Sequence, residues 1–290
     1  MSWIAFALLT ALFRSLTDVA GKKGMNKLTP YTVAWGMYLF SLPLLGVALL
    51  FVPMPELGEQ FWWALLAGSL LNTLANILYL KAIKLADLSL TVPLVTFTPL
   101  FMLLTSPLII GEFPSPWGIV GILLIVGGSY SLNLQARSQG MLAPFSALLR
   151  EKGARLMLLV AFIWSLSSNF DKMGILNSSA LYWAFFVNLG ITIGITPLMF
   201  LKEPDALRQI GRNVRKLSVV GIFNGATILL QMVAVSLTLV AYVIAIKRSS
   251  AVISVLFGKI FFGEKGLKQR LTGALIMLLG VLAIMLSSLQ

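Results

Sequence analysis

The chain has neither cysteine nor histidine. Without cysteine there is no disulfide framework, and the sequence carries no mark of its redox compartment. Without histidine the commonest metal ligand and the usual near-neutral proton carrier are missing. Charge is scarce as well: Asp, Glu, Lys and Arg make up 11% of the 290 residues, against about 25% in a soluble globular protein. That is too little to solvate a surface. No GxxxxGK[ST] loop occurs, which argues against an ATP-driven pump. No GxSxG elbow occurs either, and with no Cys or His partner a hydrolase or metal enzyme is not expected. No cofactor is called for.

What is there is apolar. Hydrophobic residues make up 58% of the chain, and the mean hydropathy is +0.93. The expected class is a multi-pass membrane protein lodged in a lipid bilayer. The net charge of +12 then reads as Lys and Arg gathered in cytoplasmic loops, not as a nucleic-acid groove. The first residues, MSWIAFALLTALF, lack a basic leader, and further spans follow, so a cleaved signal peptide is not expected.

A spanning helix needs about 20 mostly apolar residues. Ten segments qualify, at roughly 3–20, 31–52, 61–80, 88–110, 117–134, 156–172, 181–200, 217–236, 241–262 and 271–289. Pro/Gly or charged clusters separate most of them, as in VPMPELGE and IGEFPSPWG. The connections 135–155 and 201–216 alone have much length. The first of them divides the chain into residues 1–134 and 156–290.

The two parts repeat. SLTDVAGKKG at 15–24 lies on SLSSNFDKMG at 165–174. At an offset of 152, Asn72 meets Asn224, Ala82 meets Ala234, and Gly111-Glu112 meets Gly263-Glu264. Gly121 and Gly128 then meet Gly273 and Gly280. Five helices is an odd number, so the second copy enters the membrane inverted. The charges agree. Loops 1, 3, 5, 7 and 9 hold 17 of the 22 Lys and Arg, and loops 2, 4, 6 and 8 hold none. The basic loops are the first and third within the first copy, but the second and fourth within the second. The expected fold is all-α and transmembrane, ten helices as two inverted five-helix repeats. By the positive-inside rule both termini lie outside.

Two stretches carry a family resemblance. KLADLSLTVPLVTFTPLFMLLTSPLIIGE (84–112) is followed by GIVGILLIVGG, and KRSSAVISVLFGKIFFGE (247–264) by LTGALIMLLGVLAIM. Each resembles the end of an EamA domain, in which the penultimate helix closes on a Gly-Glu pair before a glycine-punctuated last helix. Two in tandem resemble the ten-helix members of the drug/metabolite transporter superfamily, across nearly the whole chain. The resemblance implies a helical bundle around a central cavity and export of small metabolites, such as amino acids or drugs. It also implies cytoplasmic termini, opposite to the charge count. A weaker likeness is to the sugar-phosphate and nucleotide-sugar branch, which also has a Lys-Arg pair in its ninth helix. The distance from that pair to the helix end differs here.

Lys247 and Arg248 are the anomaly of the ninth span. A basic residue at the centre of a spanning helix costs about 2.5 kcal/mol or more, so such residues are taken as functional by default. Drawn on one continuous helix, Lys247 shares a face with Ser250, Ser254 and Gly258, and Arg248 lies about 100° round, toward Val252, Val255 and Lys259. Either Lys247 holds a carboxylate or phosphate with Arg248 assisting, or both snorkel to the interface. Lys259 is read as a snorkelling anchor.

The first span carries Arg14 and Asp18 at i, i+4. They form either a coupling site or a static neutralising pair, and Asp171 and Lys172 at the edge of the sixth span could compensate likewise. There is no mid-helix Glu in the first span, so the acidic site expected of small multidrug exchangers is missing. Asn72, Asn76 and Tyr79 share a face of the third span, and Asn224 and Gln231 a face of the eighth. These amides either line a polar site or bond between helices for about 0.6 kcal/mol. Asn169 and Asn188 are similar. Tyr31, Trp35, Tyr182 and Trp183 are placed in the interfacial belt, Trp35 with the option of stacking on a substrate. Pro93, Pro99 and Pro107 should kink the fourth span.

The basic and amide-rich inventory points to secondary transport, in the export direction, of an anionic or zwitterionic metabolite: an amino acid, organic acid or organophosphate. The alternatives are a lipophilic-cation or drug exporter using Asp18 or Asp171, and a non-transporting membrane protein such as a scramblase. A monomer in a bacterial inner membrane is expected, with a small-molecule substrate and no nucleic acid.

Overall fold

The computed structural model describes residues 2–24, 28–85, 94–134, 151–262 and 267–287. Among the described residues every regular element is a helix. In chain order these are α1 (Ser2–Gly24), α2 (Pro30–Leu39), α3 (Leu42–Leu49), α4 (Phe61–Leu85), α5 (Thr98–Ile110), α6 (Pro116–Leu134), α7 (Lys152–Leu176), α8 (Ala180–Lys202), α9 (Ala206–Leu237), α10 (Val240–Lys247), α11 (Ser250–Phe262) and α12 (Leu267–Ser287). They occupy the ten predicted spans. Among the described residues six spans are long and apolar enough to cross a membrane, and α5, α6 and α12 carry shorter apolar runs. Pro93, Gly263-Glu264, the side chains of Gly258 and Lys259, and most of the 135–155 connection lie outside the described residues.

Local chemistry explains the helix ends. Thr29 caps α2 by accepting the Thr32 N–H, with Pro30 in the first turn, where its missing N–H costs nothing. Ser179 caps α8 by accepting from Tyr182 N. Gly111 ends α5 in the left-handed region at φ 69°, a conformation that glycine adopts without strain.

Two spans read as continuous are broken. The second is split at Phe40–Ser41, two residues before Pro43, and the ninth at Arg248–Ser249. Windowed hydropathy averages over such breaks, because each span remains apolar on both sides of them. The 201–216 connection also differs from a plain loop, since α9 begins at Ala206 and runs through the non-helical Asn213 into the eighth span.

The chain folds into two compact units. The first holds Met1–Asn76 and Phe170–Leu237, the second Ile77–Asn169 and Thr238–Gln290. Each unit draws on both copies of the sequence repeat, and the division falls inside α4 and α7.

In the first unit α1 packs on α9, and α8 packs on α2, α3 and α9. Its aromatic centre is Trp183, fully buried, with the Phe61 ring edge-on at 5.8 Å. A Cβ on Gly174 would overlap the Trp183 ring, so glycine is needed there. Trp183 is therefore a core residue and not the interfacial residue expected from its place near a helix start.

In the second unit α6 packs along α12. A Cβ on Gly121 would sit 2.7 Å from Gly280 O, one on Gly280 2.7 Å from Gly121 O, and one on Gly128 2.7 Å from Gly273 O. Gly121 and Gly273 are repeat mates, as are Gly128 and Gly280. Each glycine thus meets the mate of the other, and the two helices run antiparallel. A two-fold axis between inverted copies requires that exchange.

Candidate functional site

The ninth span turns from α-helical to tighter bonding where its charges sit. Arg248 N and Ser249 N bond to Ala245 O and Ile246 O, and Ala251 N and Val252 N to Arg248 O and Ser249 O. Each reaches three residues back, the 3₁₀ pattern, which often marks a hinge when it occurs in mid-helix. The fourth span does the same at the same place. Phe97 N bonds Leu94 O and Leu100 N bonds Phe97 O, while Ser249 N bonds Ile246 O and Val252 N bonds Ser249 O. Every one of these positions is offset by 152, as are the bounds of α5 and α11. The repeat therefore extends to a paired break.

The two breaks meet in the second unit. Pro99 has no N–H, so Val95 O lacks its helical donor. Thr98 Oγ1 donates to Val95 O at 2.8 Å and accepts from Arg248 Nη2 at 2.8 Å. Lys247 ends α10 next to it, and both basic residues are half-buried. Because the 3₁₀ turn rotates residues further than an α-helix does, the single face drawn through Lys247, Ser250 and Ser254 does not hold across the break. Ser250 and Ser254 lie on α11, half-buried. Tyr79 stacks near Trp164, ring centroids 5.8 Å apart. Asn169 receives Ser106 Oγ and donates to Thr105 Oγ1, a packing role. Pro107 leaves α5 unbroken.

The first unit holds a second polar centre, around the α2–α3 break. Asn188 Nδ2 donates to Tyr38 O at 2.8 Å, and Asn224 Nδ2 to Ser41 Oγ at 3.0 Å. Ser41 Oγ lies 2.9 Å from Gly221 O. Asn76 Nδ2 donates to Tyr38 OH at 3.1 Å and to Asn72 O at 2.8 Å. Asn188 is fully buried, and its Oδ1 has no partner among the described residues. Gln231 is buried on α9. Asn72 donates back to Gly68 O, so the repeat mates Asn72 and Asn224 engage different groups. Trp35 is buried, and its Nε1 donates to Thr196 Oγ1 at 2.8 Å.

Charges in this unit are held in two ways. Arg14 and Asp18 pair at 3.2 Å along one face of α1, with their side chains 39% and 46% exposed. Asp171 and Lys172 lie inside α7, not at its edge, and are the charged residues buried among those described. Trp183 Nε1 donates to Asp171 Oδ1 at 2.9 Å, and Lys172 Nζ donates to Val235 O at 2.7 Å. That carbonyl lies in the last turn of α9, the negative end of a helix dipole.

Tyr38, Ser41, Thr98 and Thr196 were not singled out from the sequence. For Thr98 the available signal was Pro99, which frees the Val95 carbonyl that the Thr98 hydroxyl answers.

The sequence signature of the EamA-like transporter family matches residues 1–134 and 151–286, one copy on each repeat. The chain belongs to the EamA-like transporter family. A solved crystal structure shares its fold, with a TM-score of 0.79 over 98% of this chain and 96% of that one at 18% identity. No curated protein matches the sequence. The EamA membership makes the protein a multi-pass membrane transporter. The Gly111-Glu112 pair links two spans. Gly111 ends α5, and Glu112 Oε2 accepts the Val240 N–H at 2.8 Å, capping α10 from another span.

Proposed function

We propose that the protein is a secondary transporter of a small anionic or zwitterionic metabolite, working by alternating access, in the export direction. The observation that carries this reading is the Lys247–Arg248 pair at a 3₁₀ break inside an apolar span. Broken spans supply backbone and side-chain groups for substrate in many secondary transporters. The Thr98 contact holds one guanidinium edge, and the Lys247 ammonium beside it suits a carboxylate or phosphate oxygen. In the first unit the broken α2–α3 segment, with Tyr38, Asn76, Asn188 and Asn224, offers uncharged hydrogen-bonding groups. A monomer in a bacterial inner membrane, its termini outside by the loop charges, completes the reading.

The experiment is a thermal-shift panel on purified protein, covering amino acids, organic acids, organophosphates and lipophilic cations. An anionic or zwitterionic ligand should raise the melting temperature. Lys247→Ala should melt as the native protein does, lose that shift and abolish transport of the ligand. A second reading, a lipophilic-cation exporter, is favoured by the buried Asp171 against the Trp183 indole. Shifts with cations alone, removed by Asp171→Asn, would replace the first reading with the second.

A further inference from the structure

We propose that the N-terminal segment of α9, residues 206–216, is a docking surface for anionic phospholipid headgroups. The length of the helix comes first. α9 is kinked at Asn213, and residues 214–237 beyond the kink alone reach about 36 Å at the usual rise. A hydrocarbon core of about 30 Å takes about 20 of them. The apolar, C-terminal end of α9 fills that core, so the polar end lies in the headgroup region. Asn213 there has non-helical φ −125° and ψ 17°, and its Nδ2 bonds Gln209 O at 2.9 Å. The first two turns thus leave the axis of the span at this kink.

Those turns have the composition of a surface-lying helix. Ala206, Ile210 and Leu217 are buried against the protein. Arg208, Arg212, Arg215 and Lys216 are exposed, and residues 206–216 contain no acidic residue. Arg208 and Arg212 stand at i, i+4, where like charges repel. Among the described residues no carboxylate lies in salt-bridge distance of any of the four. Leu207 (59% exposed) and Val214 (43%) are exposed beside them. Apolar side chains flanked by cations are what lets a helix seat at the boundary between headgroups and acyl chains. Basic clusters next to a span hold anionic lipid in the same way. Lipid phosphates placed between these cations would remove the repulsion that the protein itself leaves standing.

The chain has no cysteine, so Leu207→Cys carries a single environment-sensitive fluorophore. The labelled, full-length protein goes into nanodiscs of phosphatidylcholine with stepped amounts of phosphatidylglycerol. Emission should shift to the blue as the anionic lipid rises. With Arg208, Arg212, Arg215 and Lys216 all changed to Gln, the half-point should move beyond the accessible range of anionic lipid, since each cation contributes about fivefold and the four together roughly several hundredfold. Lys81→Gln/Lys84→Gln, on another basic connection, should leave the curve in place. Because the four residues are exposed, the variant should keep its melting temperature; where it does not, Arg212→Gln alone should still shift the curve in the same direction. An unchanged response in the quadruple variant overturns the proposal. So does a label equally blue in pure phosphatidylcholine, or an equal loss in the Lys81/Lys84 control.

Discussion

Arg248 donates to a Thr98 hydroxyl whose own proton is directed by Pro99. The proline frees Val95 O, the Thr98 hydroxyl spends its proton on that carbonyl, and its lone pairs are left for the Arg248 guanidinium. A backbone defect in one span thus orients a charged side chain in another.

Thr98→Val keeps the shape and removes both functions of the hydroxyl. Val95 O and one guanidinium edge lose their partner, at a cost of about 1–3 kcal/mol. Thr98→Ser should stay close to the native melting temperature. A ligand found in the thermal-shift panel should bind Thr98→Val about tenfold more weakly if Arg248 needs this support. Equal affinity in the Val and Ser variants would remove Thr98 from the binding machinery.

The α6–α12 crossing gives a test of the two-fold relation. Gly121→Ala and Gly280→Ala each drive a methyl against the facing backbone and should cost about 1–3 kcal/mol. The two share one contact, so the double variant should cost less than the sum. Gly127 has open space around its Cβ position, and Gly127→Ala should be neutral or mildly stabilising. Thermal melts in one detergent check all four. Additive costs would mean that the two glycines do not meet.

What the sequence made legible follows from what a bilayer demands. Long apolar runs must be helices, because nothing else satisfies the backbone in hydrocarbon. The repeated glycines of the fifth and tenth spans marked the duplication, though not the crossing they form, and the Gly-Glu pairs marked the family. The breaks were harder to see. At Ser249 no proline announces the change, only a run of 3₁₀ bonds. Trp183 sat where a belt residue would, yet Gly174 and Gly68 open a slot that draws it into the core. Partners such as Tyr38 for Asn76 and Asn188 are set by tertiary packing, which helical spacing does not encode.

Trp183→Phe should destabilise through one lost hydrogen bond. The ring still fills much of the slot, but Asp171 loses a donor to its carboxylate, at about 1.5–3 kcal/mol for a bond to a charged group. Asp171→Asn keeps an acceptor oxygen and should cost less. The double variant should cost less than the two single costs added together, since one bond is removed twice. Chemical denaturation in a mixed micelle measures all three. If the costs simply add, the indole and the carboxylate do not act as a pair.

Glu112 closes one span and opens another. Leu239 precedes α10 and offers no side-chain cap, so the first N–H of that helix depends on the Glu112 carboxylate. The carboxylate also faces the positive end of the α10 dipole. Glu112→Gln keeps an oxygen there but no charge, and should cost about 0.5 kcal/mol. Glu112→Ala loses both, at about 1 kcal/mol. Gly111→Ala forces a side chain into a backbone at φ 69°, at about 1–2 kcal/mol, and moves the carboxylate that follows it. Hydrogen exchange separates local from global effects. In Glu112→Ala the amides of Val240 to Val243 should exchange faster, while those of α12 keep their protection. Unchanged exchange at Val240 together with a native melting temperature would show that α10 does not depend on this cap.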